Sequence, residues 1–186
     1  MTDFEPNYFP AVEFDRPDFP WLFTPAAADS ARRLRPWICL IVVPKERATL
    51  KTNQQRPLPA LTCALEELPD LDQSWAWAHA QIVAEQRSTP APSPRATLQQ
   101  LLNDHPERPL SRLLAPRRLD PNTPYYACLV PAYEVGRKAG LGEPITPEDE
   151  QALKPAWAKN AAAGPVTLPV FFQWEFRTGL AGDFES

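Results

Sequence analysis

The longest unbroken apolar run in the chain, WICLIVV (37–43), is rich in β-branched residues and shows no polar alternation. A strand with one face in water would alternate, so this run predicts a strand buried on both faces. YYACLVP (125–131) reads the same way. In the closing stretch VTLPVFFQWEFRTG, Phe172, Trp174 and Phe176 alternate with Gln173, Glu175 and Arg177. That alternation predicts a final strand with one apolar and one polar face. SWAWAHAQIVAE (74–85) sets Trp75, Trp77, His79 and Gln81 against alanines and Ile82. Its period of two argues for a strand, while its alanine content supports a helix as the alternative. LPALTCALEEL (58–68) fits a short strand or a helical turn.

Three dipeptides, Thr24-Pro25, Ser93-Pro94 and Thr146-Pro147, each join a capping hydroxyl to a proline at the first helical position. They predict helices after residue 24, up to Pro106 and up to about Pro155, the first of them stopped by Pro36. AYEVGRKAGLG predicts a short helix closed by Gly140 and Gly142. PKERATLKTNQQRP reads as a polar connection, and QRSTPAPSPR (86–95) as a Pro-rich loop. PLSRLLAPRRLDPNTP reads as a helical turn followed by a turn at Asp120-Pro121-Asn122. The expected architecture is α+β or α/β: one domain over 24–181, with a mixed sheet of four to five strands flanked by short helices.

Prolines at 6, 10, 17 and 20 exclude a regular helix from residues 1–23, which also carry Phe4, Tyr8, Phe9, Phe14, Phe19, Trp21 and Phe23. Disordered segments are poor in aromatics, so this stretch reads as an extended docking arm whose rings need a surface to cover them. At the other end, Asp183 and Glu185 suit a helix N-terminus. Residues 182–186 therefore read as the start of a following helix or module, and the polypeptide is expected to continue past Ser186.

Composition sharpens this picture. The 186 residues include 24 prolines and only 6 glycines. Proline fixes φ and removes a donor, so the connections are expected to be short and stiff, with few phosphate-cradling loops. A net charge of −4 argues against general attraction to nucleic acid or an anionic membrane, and no run is long enough to insert into a bilayer. Arginine outnumbers lysine 14 to 5 among the 19 basic residues, which either favours bidentate pairing at interfaces or reflects base composition. Cys39, Cys63 and Cys128 lack a CxxC spacing and sit among apolar neighbours, as buried thiols of a reducing cytosol would.

Few residues could carry chemistry. His79 and His105 are the only histidines, with no HExxH and no Cys/His cluster. A Cys128–His79 nucleophile and base would need facing strands and an orienting acid. The acids Glu66, Glu67, Asp70 and Asp72, like those at 148–150, read as solvated or helix-start charge. No catalytic, cofactor-binding or metal residue is assigned. Arg112, Arg117 and Arg118 in the basic stretch RPLSRLLAPRRL are candidates for ion pairs with acidic neighbours, including an acidic arm of the same or another subunit.

The stretches DFPWLFTPA, LRPWICLIVV, LPDLDQSWAWAHAQ, SRLLAPRRLDPNTPYYACLVPA and LPVFFQWEFRTGLAGDFES together resemble the front region of a group of long, uncharacterised bacterial proteins that accompany phage-tail-like contractile injection systems. The resemblance covers most of the chain and implies a non-enzymatic structural or assembly component, working in the cytoplasm or on a particle assembled there, whose partners are other protein subunits. The alternatives are a cytosolic enzyme with a Cys/His or carboxylate site, and a small-ligand or peptide binding module.

Overall fold

The structure, a computed structural model, describes residues 8–52, 56–82, 94–105, 108–160 and 164–180. Among the described residues, nine strands form three antiparallel sheets of three strands each. In chain order they are β1 (Ala11–Phe14), β2 (Ile38–Pro44), β3 (Ala48–Lys51), β4 (Ala60–Ala64), β5 (Ala78–Ile82), β6 (Pro109–Leu114), β7 (Pro124–Pro131), β8 (Pro165–Pro169) and β9 (Phe172–Arg177). Three short helices, α1 (Pro94–Asp104), α2 (Glu134–Leu141) and α3 (Pro147–Ala152), accompany them. The class is mixed α+β. Where the sequence predicts one mixed sheet of four to five strands, the described residues form the sheets β1-β6-β5, β2-β7-β9 and β3-β4-β8.

Parity along β2 and β7 shows how the sheets stack. Cys39, Ile41, Val43, Cys128 and Val130 share one core with Leu61 and Cys63 of β4 and Leu168 of β8. Ile38, Leu40, Val42, Tyr125, Ala127 and Leu129 share a second core with Ala78 of β5 and Leu113 of β6. The β2-β7-β9 sheet is therefore the middle layer, with one outer sheet packed on each face. Seven consecutive buried residues in β2 are the result, and the unbroken apolar run is its sequence signature.

Prolines set the strand lengths. Pro44, Pro131 and Pro169 close β2, β7 and β8, while Pro109, Pro124 and Pro165 open β6, β7 and β8. Each lacks a ladder donor, which confines proline to such boundaries. This is why the final apolar stretch is two strands rather than the single one predicted. After Pro169 the chain turns from the outer sheet into the middle one, with Val170 N–H donating to Pro59 O at 2.8 Å and Phe171 N–H to Leu129 O at 2.9 Å. The same step occurs at Pro44, where a 3-10 turn (Lys45–Arg47) carries the chain from β2 into β3. The predicted polar connection after Pro44 thus contains a strand.

Two predicted helical segments are not helices. Residues 109–114 are β6, the centre of its sheet, with buried and half-buried residues alternating. Residues 25–35 form a loop. Thr24 Oγ donates to Arg35 O at 2.9 Å instead of capping a helix, and Asp29 Oδ1 accepts from the N–H groups of Ala31 (2.9 Å) and Arg33 (2.8 Å). Short polar side chains that take backbone donors in this way favour turns over helix. Arg32 completes the turn in the left-handed region at φ 60°.

Other elements match their signals. Helix α1 follows Ser93-Pro94, and Gly142 closes α2 at φ 73°. Thr146 and Asp149 form a capping box at α3. The Asp149 carboxyl is held down to about 2, first by the hydrogen bond from Lys138 and then by the Thr146 N–H. Strand β5 begins only at Ala78, because a 3-10 turn (Leu71–Ala76), capped by Asp70, occupies the tryptophan-bearing start of its segment. Among the described residues no helix is long and apolar enough to cross a membrane. Most of the loop 86–95, and all of 182–186 where a following helix is expected, lie outside the described residues.

Candidate functional site

The arm residues and the sheet corners meet in a seam of aromatic rings. Strand β1 joins residues 11–14 to the edge of its sheet, pairing Val12 with Leu113 and Glu13 with Arg112. The chain then folds over a 3-10 turn (Phe19–Trp21), placing Phe14 and Phe19 with ring centroids 4.6 Å apart. Phe19 meets Trp37 edge-on at 5.8 Å, and the Trp37 indole N–H donates to Phe19 O at 2.8 Å. Trp37 in turn touches Phe23 at 5.3 Å and Phe171 at 5.5 Å. Offset and edge-on contacts of this kind are the favoured aromatic geometries, and each adds about 0.5–1.5 kcal/mol beyond area.

The seam does not close over itself. Phe23 is 63% exposed and Phe171 42%. Together with Trp37 and Tyr133 they line an apolar pocket of about 410 Å³, completed by proline rings and one face of α2. Gly136 and Gly140 let α2 approach so closely: a Cβ on Gly140 would lie 2.6 Å from Pro169 Cβ, and one on Gly136 2.9 Å from Pro131 Cβ. A second exposed aromatic patch lies on the free-edge strand β9. There Phe172 (56% exposed) contacts Trp174 at 6.0 Å, near Phe9 (55% exposed).

Of the predicted interface residues, Phe14, Phe19 and Trp21 pack against the second core, while Tyr8, Phe9 and Phe23 are exposed. Phe4 lies outside the described residues. Arg112 pairs with Glu13 of the same chain's arm, its Nε donating at 2.9 Å. Arg117 turns inward: Nη2 donates to Glu67 Oε2 at 2.6 Å, and Nη1 to Glu67 O at 3.1 Å and Val42 O at 3.3 Å. Arg118 is exposed. Sequence reasoning passed over Trp37, Tyr133 and Phe171, since a ring beside a strand run reads as core. The corner after Pro169 turns Phe171 outward, and that corner shows in the sequence as a proline between Leu168 and the apolar pair Val170-Phe171.

Among the described residues, Cys128, His79 and the acids of 66–72 do not meet in one place. Cys128 faces the core between the middle sheet and β3-β4-β8, whereas His79 is exposed on β5, in the sheet packed on the opposite face. Burial pushes the Cys63 and Cys128 thiols up to about 12 and raises that of Cys39 as well. Such thiols are inert at neutral pH. The acids of 66–72 are dispersed: Glu67 pairs with Arg47 and Arg117, Asp70 caps a turn, and Asp72 meets Arg35 at 2.9 Å. Among the described residues no group of His, Cys, Asp and Glu could hold a metal ion. No family model, curated protein or solved structure matches the chain.

Proposed function

We propose that this chain is a non-enzymatic structural or assembly module that acts through protein–protein interfaces, with the open end of the aromatic seam as its docking surface. The observation that carries the proposal is the pair Phe23 and Phe171, held against Trp37 with their outer faces bare. Large aromatics anchored on a rigid scaffold around an apolar pocket are the usual anchor points of interfaces. The occupant is an apolar side chain of another protein subunit. A phage-tail-like contractile injection particle as the setting rests on the sequence resemblance alone. A second reading, a small apolar ligand in the same pocket, is favoured by the pocket's volume.

The test is site-specific photo-crosslinking in the native cells, with benzoylphenylalanine replacing Phe23. The expected result is one discrete adduct of added protein mass, lost when Phe171→Ser is introduced and not formed from the exposed position Glu150. No protein adduct at position 23 above the Glu150 control would sink the interface reading and leave the small-ligand one.

A further inference from the structure

We infer that a second pocket, which shares Tyr133 with the apolar pocket of the aromatic seam, is a carboxylate-binding site. It measures about 220 Å³ and is walled by Arg33, Arg35, Asp29, Asp72, Ser74 and Trp75, with Tyr133 shared with the apolar pocket. Its cations are positioned from below. The turn made by Asp29 places the Arg33 guanidinium over the Trp75 ring, 4.6 Å from its centroid. Arg35 lies 5.5 Å from the Tyr133 centroid and is held by Asp72. Arg33 has no carboxylate partner among the described residues.

The neutral donors point to the same ligand. Ser74 is 1% exposed, and its Oγ has no hydrogen-bond partner among the described residues. The buried Trp75 Nε1–H also has no partner among the described residues. An indole N–H can only donate, so it needs an acceptor, and leaving such a group dry is unfavourable. Both atoms are sealed from solvent, so they reach a ligand only if Ser74 and Trp75 shift towards the pocket; the two guanidiniums that line it call for an anion. The charge balance chooses which one. Asp29 and Asp72 offset the two arginines, which disfavours a dianion such as phosphate and suits a single carboxylate held flat against a guanidinium fork. Asp29 Oδ1 is occupied by the two backbone donors and Asp72 Oδ1 by Arg35, so neither of those atoms satisfies Ser74 or Trp75. The carboxylate belongs to an acidic side chain of a partner segment or to a free small acid.

The Trp75 indole N–H resonance of 15N-labelled protein, assigned with Trp75→Phe, reads the site directly. Sodium propionate is expected to shift that resonance saturably, and neutral propionamide to leave it in place. Phosphate is expected to bind more weakly than propionate. Arg33→Gln, at an exposed position, should weaken propionate about tenfold. Ser74→Ala should weaken it too, with the other indole resonances unmoved as the check on folding. A capped glutamate dipeptide that binds more tightly than propionate identifies a peptide carboxylate, whereas the reverse order identifies a small acid. Equal shifts from propionate and propionamide, no saturable shift, or full affinity in Arg33→Gln would overturn the assignment.

Discussion

Glu67 is almost fully buried, yet two arginines keep it ionised. Burial pushes its carboxyl up, but hydrogen bonds from Arg47 (3.0 Å) and Arg117 (2.6 Å), with the charges behind them, pull it below the ordinary 4.5. A depressed carboxyl stabilises the fold in full above its unfolded value, and the contribution fades as pH falls through the folded one. Urea unfolding of the native chain should therefore weaken below about pH 4.5 in part through this group. Glu67→Gln should lose about 2 kcal/mol at neutral pH, the worth of hydrogen bonds to a charged group, and flatten that part of the pH slope. An unchanged slope would mean the trio is not formed in solution. In the sequence, Arg117 reads as a candidate for ion pairs with acidic neighbours, its partner unnamed, and Glu67 as a solvated acid. Nothing local distinguishes a charge that meets its partner 50 residues away from one that faces water, so this pairing was not legible.

At the scale of elements, legibility follows how local the cause is. The capping box of α3 and the glycine closure of α2 are written within four or five residues, and both were readable. The double burial of β2 and β7 was readable because a strand with two covered faces has no polar position to spare. Strand β6 was missed because Ser111 and Arg112 break its apolar pattern, while its alternation acquires meaning only between β1 and β5. The loop at 25–35 was missed because Asp29 takes the backbone donors of Ala31 and Arg33 while the Thr24 hydroxyl turns to Arg35 O instead of capping. Helix α2 gives the sharpest test at this scale. Gly140→Ala should raise helix propensity by up to about 1 kcal/mol. The new Cβ would also be driven against the Pro169 ring at 2.6 Å, where overpacking costs about 1–3 kcal/mol. The expected net result by chemical denaturation is a loss of about 1 kcal/mol; a gain would show that α2 has room to move.

For the whole molecule, the three-layer stack leaves aromatic surface where its edges and corners end. The middle sheet is covered by both outer sheets along β2 and β7, but Phe172 at the start of β9 is not, and the corner that delivers β9 leaves Phe171 beside Trp37 and Phe23. The sequence named Phe23 as part of the docking arm. It could not show that the arm's rings would join residues from the far end of the chain, since that meeting is made by the fold. The central claim is that this seam is a protein interface. It is tested most directly by the native mass of the tagged chain purified gently from its own cells, wild type beside Phe23→Ser/Phe171→Ser. The variant loses two ring contacts with Trp37, so its unfolding midpoint should fall modestly, and the comparison is made at a temperature where it stays folded. The account predicts a discrete complex heavier than the chain alone for the wild type and only the free chain for the double variant. A complex of the same mass in both, or the free chain in both, would contradict it.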